Sequence, residues 1–294
     1  MDSGALKIFE AVARLGGMNR AAAELNTVQS NVTGRIRQLE TELGTALFDR
    51  HNRGVTLTAA GRRLLPYAER IGRLLADARR AASDDGHPRG PLTVGALETT
   101  AAIRLSPVLA RYAAAHPQVD LVLRTGTTAE LIDAVLTHKL EGALVCGPVE
   151  HPALATETVF HETLTVATAP SVQTLGGLSD IPDLKIVVLR SGCSYRQRLE
   201  DLLARRGVVG LRQLEFGTID SIIGCVAAGL GVTLLPRSVL AAAAREGRIA
   251  THELTGAEAD VATLFIRRRD GYVSSALAGF IDHVRPAAAQ AAAE

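Results

Sequence analysis

The chain has 294 residues, 47% of them hydrophobic, with three cysteines, no tryptophan and a formal net charge of +1 at pH 7. This length is enough for more than one domain with a buried core, and the composition excludes a collagen-like, low-complexity or disulfide-built protein. We find no secretory signal and no apolar run long enough to cross a membrane, so we expect a cytoplasmic location. The near-neutral total hides a basic N-terminal part, because residues 1–90 carry a net charge of +4 and the remainder carries −3. The N-terminal part is therefore the one suited to an anionic partner.

The N-terminal segment predicts two helices followed by a tight turn into a third. The first is expected from Ser3 to Leu15, where Gly16-Gly17 ends it, and the second from Arg20 to Leu25. Asn26 can take the left-handed conformation that closes a helix, and Thr27 can cap the next one.

The third helix has two contrasting faces. One is an apolar stripe at helical spacing, formed by Val32, Ile36, Leu39 and Leu43. The opposite face is small, polar and basic, and consists of Ser30, Gly34, Arg37, Gln38 and Thr41 with Asn31 and Thr33 beside them. Short polar side chains and arginine suit the major groove of DNA, where they reach base edges and phosphates. The alternative is an ordinary surface helix, since helix-turn-helix patterns also occur by chance.

A basic hairpin is expected directly after this helix. Leu47-Phe48 can close the small core, and residues 50–54 (RHNRG) form the expected hairpin tip before Val55-Thr56-Leu57-Thr58. A basic hairpin next to a recognition helix is a wing whose arginines meet phosphates.

A long helix from Thr58 to about Ala82 comes next. Its apolar positions alternate in steps of four and three, at Leu57, Gly61, Leu64, Ala68, Ile71, Leu75, Ala78 and Ala82. This heptad pattern favours pairing of two subunits, and the alternative is a single amphipathic helix packed on its own domain. The polar segment 83–91, with two Gly and two Pro, reads as a linker.

The remaining two thirds predicts an α/β domain. Strands and helices alternate from residue 92 to residue 146, and this βαβαβ order implies a parallel sheet. The expected strands are 92–97, 120–125, 142–146, 185–190, 211–216, 231–235 and 261–267, and the expected helices are 98–115, 128–138, 194–206, 219–228 and 274–284.

Four of these strands end in hydroxyl-bearing residues at the start of a helix. The four segments are Glu98-Thr99-Thr100, Gly126-Thr127-Thr128, residues 191–196 and residues 217–221. Ligands of open α/β sheets bind beyond the carboxyl ends of the strands, and helix N-termini favour anions. Each segment could also be a simple helix cap, but together they favour a cleft for a small molecule with an anionic group. Glu98 departs from an anion-binding pattern and would instead meet an amine or point away.

Catalytic and metal-binding patterns are not found in the sequence. Cys146 and Cys225 lie in apolar runs and read as packing residues, whereas Cys193 lies near two arginines at a helix start and reads as a pocket residue or a redox sensor. The cysteine and histidine spacings fit no metal site, and we expect no catalytic residue, no metal and no cofactor.

The segment AAAELNTVQSNVTGRIRQLETELGTALFDR resembles the DNA-binding domain of LysR-type transcriptional regulators. The matching positions are Ala22-Ala23, Leu25, Gln29-Ser30, Val32-Thr33, Ile36, Leu39-Glu40, Leu43-Gly44, Leu47-Phe48 and Arg50. Asn31 is bulkier than the residue usual in the family, and Gly34 is unusual in the middle of this helix. Length, long helix and α/β part fit the same family, so the resemblance spans essentially the whole chain.

The resemblance implies a fold of three parts. These are a winged helix-turn-helix in residues 1–58, a linker and dimerisation helix with its hinge in residues 59–91, and a two-lobed, periplasmic-binding-protein-like effector domain in residues 92–294. We expect lobe I at about 92–160 and 258–294 and lobe II at about 161–257. The family implies a homodimer or homotetramer on promoter DNA, a small-molecule effector that alters DNA bending, and RNA polymerase as a further candidate partner.

Two groups of site residues follow from these arguments. The expected DNA-binding residues are Gln29, Ser30, Asn31, Thr33, Arg35, Arg37, Arg50 and Arg53. The expected effector-binding residues are Thr99, Thr100, Thr127, Ser191, Cys193, Ser194, Arg196 and Thr218. The alternative from a different class is a solute-binding module or enzyme in which the N-terminal part serves only for dimerisation.

Overall fold

The computed structural model describes the backbone of residues 1–51, 54–181, 183–189 and 194–291, and all side chains in these ranges except those of residues 50, 179, 180, 257 and 286–291. The chain divides into two compact units, Met1–Ser83 and Asp84–Glu294.

The N-terminal unit is a helical bundle followed by a short hairpin and a long helix. Its elements are α1 (Ser3–Leu15), α2 (Met18–Glu24), α3 (Gln29–Leu43), β1 (Phe48–His51), β2 (Gly54–Leu57) and α4 (Ala59–Ser83). Gly16 and Gly44 end α1 and α3 with φ of +64°, a conformation that costs a glycine little. Asn26, with φ of +51°, takes the left-handed conformation expected after α2.

The core of this unit forms where α1, α2 and α3 meet the start of β1. Phe9 is fully buried and its ring centroid lies 5.3 Å from that of Phe48. Val32, Ile36 and Leu39 of α3 point into the same core, as their spacing predicts. The fourth member of the stripe, Leu43, is 38% exposed at the last turn of α3.

Only the first half of the predicted heptad stripe on the long helix α4 packs against the rest of its unit. Gly61 and Ala68 are buried and Leu64 packs partly against the core, so this half behaves as the helix packed on its own domain. Farther along, Leu74 and Leu75 are 45% and 41% exposed, and Tyr67, which precedes Ala68, is exposed on the surface of the helix as well. The second half therefore offers an apolar surface that its own unit does not cover.

The C-terminal unit is a mixed α/β domain. Its strands are β3 (Gly90–Ala96), β4 (Val119–Thr125), β5 (Gly142–Cys146), β6 (Leu154–Thr168), β7 (Lys185–Leu189), β8 (Arg212–Phe216), β9 (Thr233–Pro236), β10 (Ala250–Glu253) and β11 (Asp260–Arg268). Its helices are α5 (Glu98–Thr100), which continues through a π-helical turn (Ala101–Leu105) into α6 (Ser106–Ala115), then α7 (Thr128–Leu136), α8 (Ser194–Arg205), α9 (Ile219–Ala227), α10 (Arg237–Arg245) and α11 (Ser275–Ala291). Short 3-10 turns lie at Leu175–Asp180 and Gly256–Glu258.

The main sheet combines a parallel and an antiparallel part. Strands β5, β3 and β4 are neighbours and parallel, which confirms the βαβαβ prediction. Next to β5, however, β11 is antiparallel and pairs in turn with β6, which also pairs with β9 and β10. The long strand β6 was not predicted, and neither were β10 and α10.

The two hydrophobic clusters of this unit lie on different parts of the sheet. Leu92, Val94 and Ala96 of β3 pack with α6 and α11 in one cluster. The second cluster contains α7, the pair β7–β8 and helices α8 to α10. Strands β7 and β8 are parallel, and Ile186 of β7 forms an isolated bridge with Val232. Several elements that follow parallel strands thus start near one another, and they form the cavity described below.

Candidate DNA-binding surface and effector cavity

The outer face of α3 is exposed and carries short polar side chains. Gln29, Ser30, Asn31 and Arg37 are exposed, while Thr33 is half-buried. The Gln29 Nε2 donates to Thr33 Oγ1 at 3.2 Å, but no described residue hydrogen-bonds or ion-pairs with the guanidinium of Arg37. This face is therefore open to a partner along the first two turns of the helix.

The start of α3 differs from the sequence expectation. The N-cap residue is Val28, whose side chain cannot accept a hydrogen bond, so the prediction that Thr27 caps this helix is wrong. Thr27 Oγ1 instead accepts from Asn31 Nδ2 at 2.9 Å. The backbone N–H groups of the first turn consequently have no side-chain cap, which leaves them open to an anion such as a DNA phosphate.

Arg35 lies on the side of α3 that faces the start of α1. Its Nη1 lies 3.3 Å from Asp2 Oδ2. Asp2 caps α1 by accepting from the Ala5 N–H at 2.8 Å, and this hydrogen bond holds the pKa of Asp2 below its ordinary value. In this structure Arg35 is therefore paired with a carboxylate and only half-exposed.

The base of the wing is fixed by a carboxylate of α3. Glu40 Oε1 accepts from the backbone N–H groups of Leu47 at 2.8 Å and Phe48 at 3.2 Å. Strands β1 and β2 pair antiparallel, and the Val55 N–H donates to Gly16 O at 3.3 Å. The wing is thus held against both α1 and α3. The Arg50 side chain and all of Arg53, both predicted to contact DNA, lie outside the described residues.

A cavity of about 420 Å³ lies in the C-terminal unit beside the carboxyl ends of β3 and β4. Residues of β4, α5, α7, β7, α8 and β8, with Leu97 directly after β3, contribute to its wall. Polar and charged lining residues are Glu98, Thr99, Arg124, Thr125, Thr127, Glu130, Lys139 and Tyr195. Apolar lining residues are Leu97, Leu131, Ala134, Leu140, Leu189 and Phe216. An apolar wall with a few polar groups is typical of a small-molecule site.

Thr99 is the most unusual of these residues. It is 1% exposed, and its Oγ1 has no hydrogen-bond partner among the described residues. A buried hydroxyl without a partner costs about 1–3 kcal/mol, so native proteins rarely keep one. A polar atom of a bound molecule would satisfy it.

The cavity contains only part of the predicted effector set. Thr99 and Thr127 line it, whereas Thr100, Ser194, Arg196 and Thr218 do not. Ser191 and Cys193 lie outside the described residues.

The predicted residues that do not line the cavity have other partners or positions. Arg196 pairs with Glu200 and Glu215, each at 3.1 Å, and Thr218 caps α9. Ser194 Oγ donates to Thr128 Oγ1 at 3.1 Å, beside the cavity wall. Thr100 is buried.

The sequence did not identify Arg124 and Lys139 as cavity residues. Arg124 occupies an alternating position of β4, and Lys139 follows the end of α7, where charged residues are common and carry no signal by themselves. Glu130, another lining residue, forms a capping box, because its Oε2 accepts from the Thr127 N–H at 2.8 Å and the Thr127 hydroxyl at 3.0 Å. Its carboxylate therefore has a structural role.

Within the described part of the chain, no cluster of three or more His, Cys, Asp or Glu side chains could hold a metal ion. Likewise, no described helix is both long and apolar enough to span a bilayer.

A winged helix-turn-helix with an open polar face, followed by an α/β unit with a ligand-sized cavity, defines a DNA-binding protein with a small-molecule-binding domain. Comparison with known proteins agrees. Residues 4–62 match the family model for bacterial regulatory helix-turn-helix proteins of the lysR family, and residues 85–289 match the LysR substrate binding domain.

Relatives are similar along nearly their whole length. The HTH-type transcriptional regulator GltR of Bacillus subtilis is 44% identical over 280 residues, which is 95% of each chain. The uncharacterized regulator YusT of the same organism is 46% identical over 286 residues, covering 97% of this chain and 96% of its own. A crystal structure of full-length CbnR complexed with its target DNA is 26% identical, with a TM-score of 0.68 and coverage of 98% of this chain and all of CbnR.

The chain belongs to the LysR family of DNA-binding transcriptional regulators. It is a regulator and not an enzyme, so the alternative with a purely dimerising N-terminal part is wrong.

Proposed function

We propose that the C-terminal unit binds a small-molecule effector with an anionic group in the cavity beside Thr99 and Thr127, and that the occupied cavity changes transcription at a promoter. The observation that carries this proposal is the buried hydroxyl of Thr99 in the cavity wall, which has no hydrogen-bond partner in the described part of the chain. Arg124 and Lys139 supply positive charge to the same wall. An effector that binds one arrangement of the regulator more tightly shifts the population toward it.

The residue-level assignment changes accordingly. Thr99 and Thr127 are proposed to contact the effector directly, and Ser191 and Cys193 stay candidates on sequence grounds alone. Thr100 is proposed to support α5, the short helix that carries Thr99, from its buried side. Ser194 acts through its hydrogen bond to Thr128, whereas the ion pairs of Arg196 and the capping role of Thr218 favour structural roles for both.

For DNA, we propose that α3 enters the major groove with its first turns. Gln29, Ser30, Asn31 and Thr33 have the length and chemistry to contact base edges, and Arg37 reaches a guanine or a phosphate. Arg35, Arg50 and Arg53 are proposed to contact the backbone of the DNA. For Arg35 this requires that phosphate compete with Asp2 for its guanidinium.

LysR regulators bind DNA as oligomers, and α4 supports the same behaviour here. We propose that the apolar surface around Tyr67, Leu74 and Leu75 pairs with a second copy of the helix. Contacts between effector domains would then join two dimers into a tetramer. In the cytoplasm, such an assembly would bend promoter DNA and thereby alter how RNA polymerase engages it.

Footprinting of the full-length protein on its own upstream DNA, in excess competitor DNA, tests the regulator. We expect protection of a long, two-part site, because the helix-turn-helix units of two subunits occupy two half-sites. A change in the extent of protection when a small carboxylate is added would support the proposal of an anionic effector. A protein that protects no DNA under any of these conditions would contradict the DNA-binding assignment of α3.

Replacement of Arg37 by alanine tests the role of α3 directly. We expect about ten-fold weaker operator binding, because a charge-assisted contact to DNA is lost. If the contact is to phosphate, the slope of log affinity against log salt should fall by about one. Arg245→Ala, an exposed arginine of α10, is the matched control. Equal effects of the two changes would exclude a specific role for Arg37.

A further inference from the structure

The charged residues of the cavity are distributed along the direction of the strands. Glu98 and Thr99 follow the carboxyl end of β3. Arg124 lies earlier in the sheet, because it is paired in the parallel register with Gly95 of β3. Glu98 lies three positions after Gly95, beyond the carboxyl end of β3 and at the start of α5.

Arg124 and Lys139 belong to the same side of the sheet. A Cβ placed on Gly95 would meet the Leu131 and Leu140 side chains, so α7 and the segment after it cover this face. Residues paired in register have side chains on one face, which puts Arg124 on the α7 side. Lys139 directly precedes Leu140. The two cations therefore belong to one end of the cavity, and Glu98 with Thr99 belongs to the other.

Among the described residues, no side chain neutralises these charged groups. No hydrogen bond or ion pair joins Glu98, Arg124 or Lys139 to another side chain in the described part of the chain. This contrasts with Glu130, whose carboxylate is held by the capping box of α7. Arg124 and Lys139 are exposed and Glu98 is half-buried, so water solvates these charges in the free protein, and a ligand that carries complementary charges can form charge-assisted hydrogen bonds with them.

Part of the cavity wall is apolar. Leu131, Ala134 and Leu140 line it, and they offer contacts for methylene groups but no hydrogen-bonding groups of their side chains. The part of the effector that contacts these residues should therefore be a carbon chain. The polar groups of the effector should lie at the two ends of that chain.

We propose that the effector is an elongated zwitterion, with an ammonium group beside Glu98 and the Thr99 hydroxyl, a carboxylate beside Arg124 and Lys139, and an aliphatic chain between them. The proposal rests on the proposed effector function of the cavity and specifies its ligand class. A dicarboxylate of the same length would put a second negative charge beside Glu98, and a diamine would put a positive charge beside the two cations.

Calorimetric titration of the full-length protein tests this ligand class. The probes are the amino acids γ-aminobutyrate, δ-aminovalerate and ε-aminocaproate, the dicarboxylates glutarate, adipate and pimelate, and the diamines putrescine and cadaverine. We expect one of the longer amino acids to bind about ten-fold tighter than the dicarboxylate or diamine of similar length, because each of these places one like charge at an end of the cavity.

Charge-removing variants establish which end holds which group. Glu98→Gln should abolish the preference for the amino acid over the dicarboxylate, and Arg124→Gln or Lys139→Gln should weaken all carboxylates about ten-fold. Glu150→Gln and Arg245→Gln remove exposed charges outside the cavity lining and should change nothing. Retained operator footprints would show that the variants fold.

The possible failures are distinguishable. If a dicarboxylate binds as tightly as the amino acid and Glu98→Gln has no effect, the zwitterion is overturned while the effector cavity stands. If no probe of any class binds, the zwitterion is overturned as well. The proposed effector function is then judged separately, by whether any small molecule changes the footprint and whether Thr99→Leu, which fills the cavity wall, blocks that change.

Discussion

The two functional regions of this regulator differ in how they hold their polar groups. On α3 the polar side chains are exposed and bond to neighbours one turn away, as Gln29 does with Thr33. In the cavity, the Thr99 hydroxyl is buried without a partner among the described residues, and charged, polar and apolar side chains share the wall. The polar face of α3 can therefore be maintained at little cost in stability, whereas a buried hydroxyl without a described partner costs the C-terminal unit stability.

The comparison implies that the stability of the N-terminal unit depends on its interior and not on its reading face. A Cβ on Gly61 would lie 2.3 Å from Leu47 O, whereas one on Gly34 in α3 would meet nothing within 4 Å. We expect Gly61→Ala to destabilise the unit by about 3 kcal/mol, because backbone must move. Urea unfolding of the full-length protein measures this effect.

Gly34→Ala is the matched control for that change. It should stabilise the unit by about 1 kcal/mol, since alanine is the better helix former at an open position. A Gly61 variant as stable as the parent would mean that α4 does not pack closely on Leu47.

Removal of the Thr99 hydroxyl should increase stability, whereas removal of an ordinary buried, hydrogen-bonded hydroxyl decreases it. Thr99→Val keeps the shape of the side chain and deletes the unpartnered group, so the effector domain without ligand should gain about 1 kcal/mol. Effector binding should weaken at the same time. The C-terminal unfolding transition in urea, with and without effector, gives both quantities.

Thr128→Val is the control, because the Thr128 hydroxyl accepts a hydrogen bond from Ser194. Its removal should destabilise by about 1 kcal/mol. If both valine variants lose stability equally, Thr99 has a partner in solution and the contrast between the two regions weakens.

The smallest expected effect concerns the first residue of the C-terminal unit. Asp84 accepts from the Ser275 N–H at 2.7 Å, the Gly86 N–H at 3.0 Å and the Tyr272 hydroxyl at 2.9 Å. The Ser275 N–H contributes most to holding the pKa of Asp84 below its ordinary value. The stability from this carboxylate is present above about pH 4, the unfolded value, and is lost as the pH falls through the lower folded value.

Asp84→Asn should therefore lower stability at neutral pH and have a diminishing effect as the solution is made more acidic. Asp120→Asn, at an exposed position of β4, serves as the control. Unfolding curves at neutral and acidic pH measure the difference. A gap between parent and Asp84→Asn that widens in acid would contradict the role of the ionised carboxylate.

Local sequence patterns determined much of the fold of this protein. The buried positions Val32, Ile36 and Leu39, the helix end at Gly16 and the parallel order of β3, β4 and β5 follow from spacing and from glycine conformation, which act over a few residues. The DNA-reading face is contiguous in sequence, so one helix displays it. For this reason the helix-turn-helix and its reading face could be predicted before the fold was known.

Tertiary packing decided the rest. Leu43 is exposed and half of the α4 stripe is buried against α1 because of which surfaces neighbouring elements cover, which spacing does not encode. Strand β6 is specified by its pairing with β11, β9 and β10. The cavity joins Thr99, Arg124, Lys139 and Phe216, which only the folded sheet and its helices bring together. The sequence by itself therefore determined the regulator class and its helix-turn-helix, while the cavity and the charges that line it were decided by contacts between distant segments.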